Sequence, residues 1–257
     1  MKLISSKDNP LYKNICKVAQ HKVKNELLLE GDHLCEMWLS HKGLPKLVIL
    51  RESSQASYFQ RWQTLKECAC IVLPDHLFKQ LNSVESPQGI LFWVCVNPST
   101  PEITYPQKTA VLLDRVQDPG NVGTIIRTCA ALNIKYIYLT VGCANPWSSK
   151  VLRSAQGAHF SMTIYTQVDS IDLLEKSSLP LYITHLSPRA KHLYELVIPK
   201  NVLWVFGHEG QGVSEEILQF THQAVFIPQS QQVESLNVGI ASALALYEQQ
   251  RQLGFEL

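Results

Sequence analysis

The residues of this chain best suited to chemistry lie in three short polar loops. Each loop follows an apolar run typical of a strand and precedes a segment typical of a helix. The loops contain, in order, Asn121 and Arg127; Gly207, Glu209 and Gly212; and Ser235, Leu236 and Asn237. Such polar groups can orient a substrate and stabilise developing charge, and glycines let backbone approach a ligand. Because open α/β sheets bind ligands at the carboxyl ends of their strands, we expect the loops to form one site.

The glycine and cysteine patterns argue against several common sites. Gly207, Gly210 and Gly212 give the spacing G-x-x-G-x-G, whereas dinucleotide loops have G-x-G-x-x-G. No glycine-rich loop ends in Lys-Ser or Lys-Thr, so a nucleoside triphosphate site is not expected. The seven cysteines are scattered without a Cys-x-x-Cys pair, which favours reduced thiols and predicts no metal.

Length and composition indicate a soluble protein of one large or two ordinary domains. The chain has 257 residues, of which 46% are hydrophobic, enough to bury sizeable cores. It has no run of about 18 apolar residues, and its first residues lack the apolar core of a signal peptide. We therefore expect a cytoplasmic location and no membrane partner.

A proline-containing stretch at 98–109 predicts a linker between a first domain, 1–97, and a second domain, 110–257. In the first domain we expect helices at 11–20, 31–41 and 58–67 and strands at 46–50, 69–73 and 90–96, which indicates a small α/β domain. In the second domain, apolar strands are expected at 110–116, 136–141, 181–184, 203–206 and 224–227. Their nearly continuous apolar character predicts a parallel sheet covered by helices on both faces.

The turn Asp118-Pro-Gly leads into the helix after the first loop. We expect Asn121 to cap this helix. Gly123 and Arg127 are four residues apart and share a helix face, where the glycine leaves room beside the guanidinium. Taken alone, Arg127 is also compatible with a surface ion pair.

The other two loops also allow simpler interpretations. Glu209 precedes a helix expected to begin near Ser214, where a carboxylate is favoured by the helix dipole. Ser235 has the residue type of a cap for the last helix. Neither interpretation excludes a role in a binding site.

Together, the three loops resemble the signature motifs of the SpoU (TrmH-type) branch of the SPOUT RNA methyltransferases. Further segments, 6–10, 28–31 and 86–90, resemble the small N-terminal substrate-binding domain of many members. The resemblance implies a C-terminal parallel-sheet SPOUT fold with a deep trefoil knot and an N-terminal α/β RNA-binding domain. It also implies a homodimer whose active site is completed across the interface.

The resemblance assigns roles to residues of the three loops. The implied catalytic residues are Arg127, Asn121, Glu209, Ser235 and Asn237. The implied S-adenosylmethionine-binding residues are Gly207, Ile227 and Leu236, with Thr184 as a weaker candidate. A guanidinium, with a pKa above ~12, is a poor proton acceptor. We therefore interpret Arg127 as a clamp that stabilises an alkoxide and leave the proton acceptor unassigned.

The implied reaction is methyl transfer from S-adenosylmethionine to a ribose 2′-hydroxyl of RNA, with no metal. The upstream domain resembles those of enzymes acting on large-subunit ribosomal RNA, including a guanosine-directed group, so ribosomal RNA is the expected partner. Transfer RNA is the alternative substrate. A catalytically silent RNA-binding protein and a base N-methyltransferase with the same cofactor pocket are the alternative functions.

The positive charge of the chain is concentrated near its N-terminus. The net charge is only +1, but residues 1–97 contain 12 Lys and Arg against 9 Asp and Glu. Lys13, Lys17 and Lys22 belong to this basic segment and are the candidate RNA-binding residues. The alternative is that these lysines form an ordinary solvated helix face.

Overall fold

The structure is a computed structural model that describes residues 2–96, 103–230 and 232–255. The described residues form two compact units, the first comprising 2–96 together with Trp147–Ser149 and the second the remainder. The predicted linker at 98–109 lies partly outside the described residues. The boundaries at 97 and 110 therefore remain predictions.

The first unit is built on a mixed five-stranded sheet with the order β1-β4-β3-β5-β2, in which β5 is antiparallel to β2 and β3. Its strands are β1 Lys2–Leu3, β2 Glu26–Glu30, β3 Leu47–Arg51, β4 Cys70–Leu73 and β5 Ile90–Cys95. Its helices are α1 Pro10–Ala19, α2 Asp32–Lys42, α3 Gln55–Arg61 and α4 Asp75–Lys79.

Helix α1 shows why this sequence folds locally. Asn9 caps the helix by accepting a hydrogen bond from the backbone N–H of Leu11 at 2.9 Å, and a proline follows at the first helical position. Tyr12, Ile15 and Val18 recur at intervals of three residues and are buried on one face. The lysines of α1 therefore remain on its solvent side.

The second unit contains a seven-stranded sheet with the order β10-β12-β9-β11-β6-β7-β8, in which every pairing is parallel. Its strands are β6 Ala110–Leu113, β7 Tyr136–Thr140, β8 Thr163–Val168, β9 Leu181–Thr184, β10 Lys191–His192, β11 Leu203–Phe206 and β12 Gln223–Phe226. Its helices are α5 Pro119–Ala131, α6 Ser149–Ala155, α7 Ser170–Lys176, α8 Glu215–Leu218 and α9 Val238–Gln252.

Helices cover both faces of this sheet, which explains its apolar strands. In β11, Trp204 and Phe206 pack into one core with residues of α5, α6 and α9. Leu203 and Val205 pack into a second core with residues of α7 and α8. The alternation follows from the two-residue period of a strand. No helix in the described ranges is long and apolar enough to cross a membrane.

The predicted α/β class, the parallel second sheet and the small N-terminal sheet domain are confirmed, while the knot remains a prediction. Strands β9 and β11 have the predicted bounds. The sequence did not predict the two-residue strands β1 and β10, the outer strand β8, or β2, whose residues fall in a segment we interpreted as a motif. The expected helix at 58–67 is instead α3 followed by a 3₁₀ turn at Gln63–Glu67.

Candidate functional site

A cavity of about 500 Å³ lies at the carboxyl ends of β9, β11 and β12. Its walls come from the loops that follow these strands and from the first turns of α9, as open parallel sheets predict. The cavity is lined by all four predicted cofactor-binding residues, Thr184, Gly207, Ile227 and Leu236, and by Glu209, Ser235 and Asn237. Two of the predicted catalytic residues, Asn121 and Arg127, are not among the lining residues.

The segment 207–212, here called the β11 loop, is a tight hairpin. The backbones of His208 and Gly212 exchange two hydrogen bonds of 3.0 and 2.9 Å, and Gly212 has a φ of +69°. A Cβ at Gly207 would lie 2.4 Å from the backbone of Gly212 and Val213, closer than any side chain tolerates. Only glycine at 207 therefore allows the loop to fold back beside the cavity.

Hydrogen bonds link the three loops through Asn121. Its Nδ2 donates to Glu209 Oε1 at 2.9 Å, and its Oδ1 accepts from Asn237 Nδ2 at 2.9 Å. The residues of these two pairs are 88 and 116 positions apart in the sequence. Asn121 thus connects Glu209 and Asn237 from behind the cavity wall; we call these three residues the Asn–Glu–Asn chain.

Glu209 is held as an ionised acceptor at the start of α5. Its carboxylate accepts from the backbone N–H groups of Gln117 at 3.2 Å and Asp118 at 3.1 Å, as well as from Asn121. Burial alone would raise the pKa of this carboxyl, but these hydrogen bonds outweigh it and hold the pKa below its usual value. The helix end that Glu209 meets is that of α5, not that of α8 as the sequence suggested.

The caps of α5 and α9 differ from those we predicted. Asp118 caps α5 by accepting from the N–H of Asn121 at 2.9 Å. The side chain of Asn121 is therefore available to bond with Glu209 and Asn237. Asn237, not Ser235, caps α9 by accepting from the N–H of Gly239 at 2.9 Å. Asn237 therefore both caps a helix and lines the cavity.

The expected space beside Arg127 is filled differently. A Cβ at Gly123 would lie 2.4 Å from Ser154 Cβ and 2.9 Å from the carbonyl oxygen of Val151, so the glycine allows α6 to pack closely on α5. Arg127 itself is exposed, and its guanidinium makes no hydrogen bond or ion pair with any described residue. The geometry therefore unites the Asn–Glu–Asn chain and Ser235 around the cavity and leaves Arg127 apart.

A buried carboxylate escaped the sequence analysis. Asp114, at the end of β6, is only 3% exposed and accepts from the backbone N–H of Ser214 at 2.7 Å. This bond fixes the end of the β11 loop and the start of α8. An apolar strand that ends in Asp-Arg was the available signal, because a charge directly after a buried strand requires a partner.

The candidate RNA-binding lysines lie in the first unit, on or just after α1. All three are exposed, and Lys13 forms an ion pair of 2.9 Å with Asp8, which is also exposed. Such surface pairs contribute little stability, so this pair is no obstacle to a phosphate contact. Across the described residues, no group of three or more His, Cys, Asp or Glu is placed to hold a metal ion.

The cavity fits S-adenosylmethionine in size and in chemistry. Its volume falls in the range of about 300–1,000 Å³ typical of small-molecule sites. Val225, Ile227 and Leu236 offer apolar surface for the adenine ring of this molecule. The backbone of the β11 loop and the carboxylates of Glu209 and Glu234 offer polar and negatively charged groups to a cofactor that carries a positive sulfonium.

Comparison with known proteins gives matches along the whole chain. Residues 108–247 match the SpoU rRNA Methylase family. A Bacillus subtilis 23S rRNA (guanosine(2553)-2′-O)-methyltransferase is 31% identical over 96% of this chain and 98% of its own length. An uncharacterized tRNA/rRNA methyltransferase of Synechocystis is 36% identical over 97% of this chain and 93% of its own length.

A solved structure resembles the fold over the same extent. The AdoMet-bound rRNA methyltransferase of Sinorhizobium meliloti superposes with a TM-score of 0.82 at 25% identity, covering 98% of each chain. The structural likeness therefore includes both units and a relative that binds the cofactor considered above.

Proposed function

The chain belongs to the SpoU rRNA methylase family and is an S-adenosylmethionine-dependent RNA ribose 2′-O-methyltransferase; from this premise we propose that its substrate is large-subunit ribosomal RNA, methylated at a guanosine. The Bacillus subtilis relative acts on a guanosine of 23S rRNA and matches both units of this chain. A shared N-terminal unit supports a shared class of RNA, since this unit carries the basic segment. Ribosomal RNA as substrate also supports a cytoplasmic location.

The observation that carries the assignment of the site is the Asn–Glu–Asn chain beside the cavity. Glu209 accepts three hydrogen bonds, from Gln117, Asp118 and Asn121, and Asn237 is fixed as the cap of α9. These side chains are therefore preorganised, which is how polar groups contribute most to catalysis. Asn121, Glu209 and Asn237 hold the three loops in register around the reacting groups.

Cofactor binding belongs to residues at and just after the strand ends. We assign it to Thr184, Gly207, Ile227 and Leu236, all of which line the cavity. When bound, S-adenosylmethionine supplies a methyl group already activated by its sulfonium. The task of the protein is then to align a ribose hydroxyl with that methyl, an effect worth roughly 7–11 kcal/mol in well-arranged systems. Ser235 is exposed and lines the cavity, and we assign it to the side that receives the ribose.

Arg127 is the proposed RNA clamp. A guanidinium remains charged at any working pH, so it stabilises a developing alkoxide or binds a phosphate rather than accepting the proton. Its exposure and lack of described partners suit a group that binds an anionic ligand. Arg127 is not among the residues that line the cavity of its own chain, and it lies six residues beyond Asn121 on α5, about 9 Å of helix rise.

That separation supports a homodimer in which Arg127 serves the site of the partner subunit. An apolar groove of about 450 Å³ runs along α9 and includes Tyr194, Ile240, Tyr247 and Phe255. Ile240, Tyr247 and Phe255 are 53%, 45% and 47% exposed and lie together along this groove, and a contiguous exposed apolar patch of this kind marks an interaction surface. We expect Ile240→Asp to produce a monomer in sedimentation velocity, whereas Leu44→Asp, at an equally exposed apolar position, should not.

A transfer assay with the purified protein tests the proposed function. Labelled methyl from S-adenosylmethionine should enter a large-subunit ribosomal RNA transcript, and nuclease digestion should place it on a 2′-O-methylguanosine. Label on transfer RNA alone would establish the alternative substrate, and label on a base would establish the alternative reaction. Binding of RNA and cofactor without any transfer would indicate a silent RNA-binding protein.

A further inference from the structure

Arg115 has an unusual and firmly held backbone. It follows β6 with a φ of +56°, in the left-handed region that residues with side chains rarely adopt. Its N–H donates to Thr140 Oγ1 on β7 at 3.0 Å. Gly142 lies beside its stem, where an added Cβ would be only 3.3 Å from Arg115 Cγ. Such strain persists only where surrounding contacts determine it, and it is found mostly near functional sites.

The guanidinium of Arg115 joins two different partners. Its Nε is 3.3 Å from Oδ1 of the buried Asp114, which fixes one edge of the guanidinium. From the other edge, Nη1 donates to Gln211 Oε1 at 3.2 Å. Asp114 in turn accepts from the N–H of Ser214 at 2.7 Å. Arg115 therefore holds the β11 loop at Gln211, and the adjacent Asp114 holds the start of α8, just after the loop, at Ser214.

These contacts complement those of Glu209 on the same loop. Glu209 ties the β11 loop to the start of α5, and Gln211, two residues further on, is tied to Arg115. Both Glu209 and Gln211 line the cavity. Together, the hydrogen bonds of Glu209 and Gln211 hold the exposed β11 loop beside the cavity.

We propose that Arg115 is a positioning residue for the cofactor-binding loop and that it acts through the side chain of Gln211. The proposal deepens the proposed function, on which it rests in taking the cavity as the S-adenosylmethionine site. Arg115 fixes the β11 loop in its binding-competent form before the cofactor arrives. Its effect therefore falls on cofactor affinity, while the rate at saturating cofactor stays close to that of the unaltered enzyme.

A double-mutant cycle measured by calorimetry with S-adenosylmethionine tests this role. Arg115→Ala and Gln211→Ala should each raise the cofactor Kd about tenfold, as expected for one lost charge-assisted hydrogen bond. The double variant should be no weaker than either single one, because both remove the same contact. Gln211→Ala leaves the Asp114 contacts intact and so keeps the test valid if Arg115→Ala folds poorly. Gln219→Ala, on an exposed glutamine after α8, is the matched control and should bind normally.

A variant that introduces a charge at position 211 separates positioning of the β11 loop from general stability. Gln211→Glu should keep its affinity when Arg115 is present, since the guanidinium pairs with the new carboxylate. In the Arg115→Ala background the same change should not restore affinity. An unchanged Kd in both alanine variants, or fully additive effects in the double variant, would overturn the proposal. Failure of the unaltered protein to bind the cofactor would count instead against the proposed function.

Discussion

The polar groups around the cavity and the cations expected to meet RNA are organised in opposite ways. Asn121, Glu209 and Asn237 satisfy one another through bonds of 2.9 Å. Arg127 has no described side-chain partner, and Lys13 has only a surface ion pair. The polar side chains at the cavity are thus held by one another, whereas the cations proposed to contact RNA are exposed to solvent.

This difference has a physical reason. Groups that bind a small cofactor gain affinity when they are fixed in advance, because ordering them on binding would weaken it. Cations that contact a phosphate backbone act mainly through charge and counterion release, which requires exposure more than fixed geometry. Mutations around the cavity should therefore impair cofactor binding, whereas mutations of the exposed cations should impair RNA-dependent steps.

Arg127→Ala should have the largest effect. We expect methyl transfer to be abolished, because the charge that stabilises the alkoxide is lost. The cofactor Kd should stay within about threefold and the unfolding free energy within about 0.5 kcal/mol, as for surface changes without partners. Calorimetry and thermal unfolding check both statements. Lys135→Ala, an exposed cation before β7, is the control; loss of cofactor binding in the arginine variant would remove the assigned role.

Gly207→Ala should impair the cavity and therefore cofactor binding. The new Cβ would lie 2.4 Å from the backbone of Gly212 and Val213, so the β11 loop must open. We expect cofactor binding to become undetectable by calorimetry and the protein to lose about 1–3 kcal/mol of stability. Gly210→Ala is the matched control, since its Cβ would have no neighbour closer than 3.9 Å. Equal binding by both variants would contradict the loop geometry.

Replacing Lys13, Lys17 and Lys22 together by alanine should produce a smaller and salt-dependent loss. RNA affinity should fall about uniformly across sequences, and the slope of log K against log salt should flatten by up to about three units, one per contact. Filter binding over a salt series measures the slope. The triple variant of Lys42, Lys66 and Lys79, also exposed in the first unit, should retain it. If both triple variants bind alike, the basic segment is only a solvated face.

The smallest effect concerns stability and lies away from both sides of the site. Burial lowers the pKa of His159 from 6.5 to about 4, and its Nε2 donates to the carbonyl of Pro146 at 2.7 Å. Between these values the unfolded chain binds more protons, so stability is lost as pH falls from about 6.5 towards 4, by at most about 3 kcal/mol. Urea unfolding of His159→Gln should show a flatter pH dependence. An unchanged profile would mean that other groups dominate it.

The sequence predicted well what depends on local pattern. The buried strands β9 and β11 were predicted because their runs are continuously apolar. The glycine at 207 and the polar loop residues pointed to one site because parallel strands align their carboxyl ends. Edge strand β2 was missed because its run of buried leucines was interpreted as part of a motif, and outer strand β8 was missed because its partly exposed residues leave no clear apolar pattern.

The tertiary contacts of the site could not be predicted from local sequence patterns. Asp118 and Asn121 are both good capping residues; proline at the first helical position makes Asp118 the cap, but the bond from Asn121 to Glu209, 88 positions away, is a tertiary contact. The space at Gly123 was correctly expected, but its occupant, Ser154, comes from a different helix. The role of Asp114 likewise depends on Ser214, 100 residues away in the chain.

The most direct test of the account is nucleotide-resolution mapping of ribose methylation in total RNA from cells with and without this protein. We predict that one 2′-O-methylguanosine of large-subunit ribosomal RNA disappears without the protein, returns with the unaltered chain and does not return with Arg127→Ala. An unchanged ribosomal RNA profile, with a methyl group lost from transfer RNA instead, would contradict the proposed substrate. Unchanged ribose methylation in all RNA would contradict the proposed function in the cell.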